Sequence, residues 1–231
     1  MVRTDLTFIT NEEGETLKQR FEVLIKDTAF FDCLVGYFYV SGFHAIYKSL
    51  ENTQKIRILI GINTRKQVYE TIKTAQEPRQ SILDYSHAEA KQEIESMVVQ
   101  DMNESEDNQH VDEGLQKFIE WIKTQKLEIR AYPSQNIHAK LYIMTFVEDD
   151  RDIGRVITGS SNFTQAGLVD NFELNVELKN SADYEYAKQK FEELWRDAVD
   201  VSEKYVHTIQ TKSWFNSDIM PYELYLKFLY E

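Results

Sequence analysis

Apolar positions along the chain follow two rhythms. "TLKQRFEVLIKDT" sets Leu17, Phe21, Leu24 and Ile25 at helical spacing, and "VDEGLQKFIEWIK" does the same with Val111, Leu115, Phe118, Ile119 and Ile122. "YEYAKQKFEELWRDAV" predicts a third helix with Tyr184, Phe191, Leu194 and Trp195 inward. Between the helices run near-continuous apolar stretches. "DCLVGYFYV" and "KIRILIGI" have the β-branched and aromatic content of strands buried on both faces. Ser41-Gly42 is expected to end the first, and "FHAIYKSL" reads as a short helix before the second. Strand, helix, strand predicts a parallel βαβ unit. "LEIRAY", "IHAKLYIMTFV" and "GRVITG" add strands, the last two joined by an acidic turn, "EDDRDI". "NFTQAGL" predicts a helical turn with Asn162 or Thr164 near its start. "NFELNVELK" alternates, with Phe172, Leu174, Val176 and Leu178 opposite Glu173, Asn175 and Glu177. Residues 64–105 are helical in pattern but polar, and "QDMNESEDNQH" reads as a charged bend.

These elements make an α/β domain over residues 1–200. Residues 201–231 read as a helical extension. In "MPYELYLKFLYE", Pro221 suits a helix start, and Leu224, Tyr225, Phe228 and Leu229 share a face. The helix runs to the last residue without a C-cap, which suggests either a continuing chain or a docking helix.

Composition narrows the class. With 231 residues, 42% of them apolar, the chain can bury a substantial core. Its one cysteine, Cys33, excludes an internal disulfide framework and reads as a buried thiol. No Cys/His cluster has zinc spacing, so no metal is expected. No signal-peptide core or membrane-length apolar run is present, so the reading is a cytoplasmic protein with no membrane partner. Net charge is −13, of which residues 84–113 carry −9, with ten acids against Lys91. The other residues carry −4, which leaves room for a local positive groove.

The chemistry centres on "IHAKLYIM". On a strand, His138, Lys140, Tyr142 and Met144 would share one face, while Ile137, Ala139, Leu141 and Ile143 would pack from the other. An ammonium beside an imidazole suits phosphate, one supplying charge and the other a nucleophilic nitrogen near neutral pH. The next strand ends in "GSSN", where Gly159 permits a tight turn and Ser160 and Asn162 offer small polar groups for an oxyanion. Glu173 follows, a carboxylate able to accept the Nδ1 proton of a histidine and leave Nε2 free. His44 reads as structural, and His87, His110 and His207 as peripheral. Tyr37 and Tyr39 stand near the end of a buried strand, with core packing favoured over a place in the site.

HxK, then GSxN, then N-x-E, carried by His138, Lys140, Gly159, Ser160, Asn162, Asn171 and Glu173, resembles the HKD motif of the phospholipase D superfamily. The likeness spans roughly residues 15 to 200 and is strongest to single-motif bacterial nucleases and related restriction-enzyme nuclease domains. The ending resembles linkers to superfamily II helicase cores. The resemblance implies a phospholipase D-like mixed sheet flanked by helices. It also implies DNA phosphodiester hydrolysis through a phosphohistidine on His138, with no cofactor or metal. Lys140, Ser160 and Asn162 would hold the phosphate. A second histidine would come from another copy of the chain, so a homodimer is expected. A helicase region beyond the C-terminus would be a further partner. The motif's aspartate position holds Thr145. An inactive nucleic-acid-binding or dimerisation module and a phospholipid phosphodiesterase are the rival readings.

Overall fold

The computed structural model describes residues 7–61, 95, 98, 99, 109–132, 137–148 and 152–212. Among these, the strands are β1 (Phe8–Ile9), β2 (Thr28–Val35), β3 (Lys55–Gly61), β4 (Leu127–Tyr132), β5 (Leu141–Phe146), β6 (Gly154–Gly159), β7 (Asn175–Leu178) and β8 (Val199–Asp200). They form one mixed sheet in the order β1-β7-β6-β5-β2-β3-β4-β8. The βαβ expectation holds: β2, β3 and β4 are parallel, and every other pairing is antiparallel.

Side chains leave a strand alternately up and down, so a sheet with two apolar faces needs a cover on each. Phe31, Cys33 and Val35 of β2, Ile56, Ile58 and Ile60 of β3, and Tyr142 and Met144 of β5 enter the larger core. Helices α1 (Leu17–Leu24), α2 (Val40–Ile46), α3 (Gln109–Lys123) and α5 (Ser202–Lys212) contribute to that same core. Leu34, Leu59, Ile143 and Val156 point the other way, under Tyr184, Phe191 and Trp195 of α4 (Ser181–Arg196). Thr16 starts α1 with a reciprocal pair: its hydroxyl accepts from the Gln19 amide at 3.2 Å, and its own amide donates to Gln19 Oε1 at 3.1 Å.

Four expectations are corrected. The β2 strand stops at Val35, and Ser41-Gly42 lies inside α2 rather than before it. The reason is close packing: a Cβ on Gly42 would stand 2.5 Å from the Phe163 carbonyl oxygen. Next, β5 begins at Leu141, so His138 and Lys140 occupy the segment leading into the strand. Both faces of β5 are core, with Tyr142 and Met144 on one and Ile143 on the other.

The third correction inverts β7. Asn175 and Glu177 are buried, while Phe172 and Leu174, ahead of the strand, are exposed. Arg20 of α1 grips Glu177 with two hydrogen bonds of 2.6 and 2.9 Å, and Arg155 of β6 stands 3.4 Å away. A paired and hydrogen-bonded carboxylate is tolerated in an interior where a lone one is not.

Last, residues 202–212 are not separate from the domain. Tyr205 and Ile209 of α5 lie in the larger core, and Tyr205 contacts Phe38 and Phe118 edge-on. Most of the polar segment 64–105 and the whole of residues 220–231, where a helix is expected, fall outside the described residues.

Candidate active site

Three chain segments meet at one end of the central strands. The first is the entry to β5. Lys140 is buried, and its ammonium lies 3.0 Å from both Nδ1 and the carbonyl oxygen of the exposed His138. The Lys140 carbonyl is held in turn by the Thr158 hydroxyl at 2.8 Å and the Gly159 amide at 3.4 Å. Burial pushes the Lys140 ammonium below the ordinary lysine pKa, and the nearby charge of Glu173 opposes that fall. An ammonium already stripped of water has less hydration to lose when it meets an anion.

The second segment is the turn after β6. Gly159 is required by crowding, since a Cβ there would sit 2.3 Å from the Leu174 carbonyl oxygen. Ser160 accepts from the Leu174 amide at 3.0 Å and donates to Glu173. Ser161 turns inward, where its Oγ accepts from Asn175 Nδ2 at 2.8 Å and its carbonyl from the Tyr142 hydroxyl at 2.8 Å. Buried Asn175 thereby locks the turn from below. Asn162 Oδ1 accepts from the Tyr37 amide at 3.1 Å, so the carboxamide is oriented through its oxygen and its NH₂ is the group left to meet a ligand.

The third segment follows β2. A Cβ on Gly36 would come within 3.6 Å of Asn162 Oδ1 and 3.9 Å of Lys140 Nζ, so a glycine here forms the floor of the site. Phe38 takes the core position, and its neighbours turn outward. Tyr37 and Tyr39 line a pocket of about 160 Å³ together with Asn162, Thr164, Gly167, Asn171 and Glu173. The expectation that both tyrosines pack in the core is thus corrected. The sequence signal was the alternation in "GYFY", which sends Phe38 one way and both tyrosines the other.

The expected residues His138 and Lys140 are in contact, Lys140 is beside the Gly36 floor that Asn162 also borders, and Ser160 is joined to Glu173. Within one chain, Glu173 spends its hydrogen bond on Ser160 and His138 meets Lys140, so the histidine–carboxylate contact anticipated above is not made. Thr145 lies at the far end of β5, with its hydroxyl 2.7 Å from that of Tyr184 on α4. His44 is buried on α2 against Gly114. Among the described residues, no group of three or more His, Cys, Asp or Glu is placed to hold a metal ion, and no helix is long and apolar enough to cross a membrane.

Comparison with solved structures returns a phospholipase D family member, Nuc from Salmonella typhimurium, at 15% identity over 84% of this chain and 95% of that one, with a TM-score of 0.48. NucT from Helicobacter pylori aligns at 10% identity over 84% and 96% of the two chains, with a TM-score of 0.44. Phosphatidylserine synthase from Haemophilus influenzae Rd KW20 aligns at 15% identity over 96% of this chain and 44% of that one, with a TM-score of 0.49. No curated protein matches the sequence significantly. Residues 31–195, which hold His138, Lys140 and the turn at 159–162, match the family model described as "Cardiolipin synthase, PLD-like domain", and the chain belongs to that phospholipase D-like family.

Proposed function

We propose that this domain hydrolyses phosphodiester bonds in DNA without a metal ion, through a covalent phosphohistidine on His138. The observation that carries the reading is the exposed imidazole 3.0 Å from a desolvated ammonium. A phosphate arriving there competes for the Lys140 ammonium, which then moves its donors from Nδ1 to non-bridging oxygens. Asn162 adds a neutral donor from the opposite side, and Ser160 steadies Glu173.

The chemistry balances as two displacements. Once Lys140 has left Nδ1, the neutral imidazole carries its proton there by exchange with water, its free Nε2 attacks phosphorus, the N–P bond forms, and the bridging P–O bond breaks. A second imidazolium gives its proton to the departing oxygen. That imidazole, now neutral, takes a proton from water, and the resulting hydroxide attacks phosphorus and breaks the N–P bond. The HxK motif occurs once in the sequence, so the second histidine is assigned to another copy across a two-fold axis. Phe172, at 75% exposure, and Leu174, at 52%, flank Glu173 and give that copy an apolar margin to cover.

His138→Ala is expected to lower cleavage of a DNA oligonucleotide at least a thousandfold, on the order of the losses seen when a covalent nucleophile is removed. Wild-type cleavage in EDTA should be unchanged. Rapid quenching should trap an acid-labile phosphoryl group on His138. Cleavage by His138→Ala at the wild-type rate would end the proposal, and dependence on a divalent ion would end its metal-free form.

A further inference from the structure

Beside the phosphate-gripping residues lies a second feature that the hydrolytic step does not use. The pocket of about 160 Å³ is bordered by Asn162 and Glu173 on the phosphate side and by Tyr37 and Tyr39 on the other. Thr164 and Asn171 supply polar groups to its wall. Tyr37 is 41% exposed although its backbone amide is fixed to Asn162, so its ring is presented to solvent from an anchored main chain. An aromatic side chain held open next to a phosphate site is a stacking platform.

Charge favours such a platform. Proteins that track a duplex draw much of their affinity from lysine and arginine on successive phosphates. This chain carries a net charge of −13, and among the described residues the ammonium of Lys140 is the cation found against His138 and Gly36. Counterion release is a poor source of affinity under those conditions. Base stacking is indifferent to net charge and works on any sequence, because every base has a π-face. A base can reach Tyr37 only if it is unpaired and splayed from its neighbours.

We infer that the Tyr37–Tyr39 pocket is a nucleobase subsite, receiving the unpaired base next to the scissile phosphate and so directing the enzyme to single-stranded DNA. This rests on the phosphodiesterase reading above and adds the strandedness of its substrate. Thr164 and Asn171 face the base edge, while Asn162 spans the two subsites by reaching the phosphate from a position that Tyr37 fixes.

The test compares a single-stranded oligonucleotide, the same strand annealed to its complement, the same strand carrying one abasic position, and bis(p-nitrophenyl) phosphate, a diester with no base. Wild type should prefer the single strand to the duplex at least tenfold in kcat/KM and should skip the bond beside the abasic position. Tyr37→Ala should lower the ratio of oligonucleotide to bis(p-nitrophenyl) phosphate turnover roughly tenfold, mostly through KM, within the range stacking of one base is worth. Tyr37→Phe should restore the ratio. Equal rates on single strand and duplex, or a ratio indifferent to Tyr37→Ala, would overturn the inference while leaving phosphodiester hydrolysis intact. If no substrate turns over, the hydrolytic reading fails, and quenching of a 2-aminopurine single strand on binding decides the subsite separately. Quenching that Tyr37→Ala abolishes would sustain it, and no quenching would reject it. Phosphatidylserine vesicles competing through Tyr37 as well as the oligonucleotide does would identify a headgroup site instead and overturn it.

Discussion

Lys140 ties the geometry of one residue to the pH behaviour of the protein. Its ammonium is desolvated, so the charged form is given up at lower pH than for an exposed lysine. The phosphate grip depends on that charged form. The alkaline limb of kcat/KM should therefore set in below the ordinary lysine value of 10.5. Stability moves in the opposite sense. Between the folded-state and unfolded-state pKa the unfolded chain binds the extra proton, so unfolding becomes harder as pH rises through that window. A rate that stays level beyond the ordinary lysine range would remove Lys140 from the mechanism. Thr145 is a contrasting case. Five residues of strand at about 3.3 Å each separate it from Lys140, too far for a phosphate to touch both. Its hydroxyl meets Tyr184 on α4, so Thr145→Val should leave the cleavage rate within about twofold of wild type. It should cost about 1 kcal/mol of stability in urea melts, the usual worth of one side-chain hydrogen bond. His138, Lys140, Ser160 and Asn162 were legible from sequence because each sits in a short motif with fixed spacing. Tyr37 and Tyr39 were harder to place, because an aromatic at the end of an apolar strand serves the core or a pocket equally well. Only the position of Phe38 decides between them.

At the scale of elements, β7 links the fold to the chemistry. Glu173 sits just before it, Asn175 locks the Ser161 turn, and Glu177 anchors the strand to α1 and β6 through Arg20 and Arg155. Alternation in "NFELNVELK" marked a strand correctly and its inward face incorrectly, because period-two reading assumes that apolar residues go inside. Here three charged partners from separate segments satisfy one another, and a pairing that depends on residues 20, 155 and 177 leaves no local trace. Glu177→Ala leaves Arg20 without its carboxylate in a largely buried setting, while Arg155 keeps Asp152 and the Gly154 carbonyl. It should lower stability by about 3–5 kcal/mol in denaturant titrations. If the strand were held by its backbone ladder alone, the loss would fall under about 1 kcal/mol. The same kind of long-range pairing ties down α5. Glu95 receives hydrogen bonds from Lys204 and Lys212, which hold its pKa at about 2. That contribution is complete above the unfolded carboxylate range and disappears as pH falls toward 2. Protection of the α5 amides, taken relative to their intrinsic exchange at each pH, should therefore fall over that acid window in wild type and fall less in Glu95→Gln.

For the whole molecule, the α/β class and its buried central strands followed from apolar runs that need cover on both faces, and the assignment of α4 to one face and, among the described residues, four helices to the other did not. That division depends on long-range contacts such as Arg57 stacking over Phe191 and Trp195 while bonded to Asp32. The proposed dimer makes its own quantitative demand. If each site needs imidazoles from two chains, then a hybrid of wild type and His138→Ala has no complete site. Refolding the two together at equal amounts distributes chains at random, and only dimers with two wild-type chains turn over. Activity should then fall to about one quarter, following the square of the wild-type fraction as the mixture is varied. If one histidine per chain performs both proton transfers, activity falls to about one half and follows that fraction linearly. Phe172→Asp supplies the control, since a charge on the apolar margin should shift the protein toward monomer in sedimentation and lower activity in step with the loss of dimer. A monomeric Phe172→Asp protein retaining wild-type turnover would show that the second proton donor lies within the same chain.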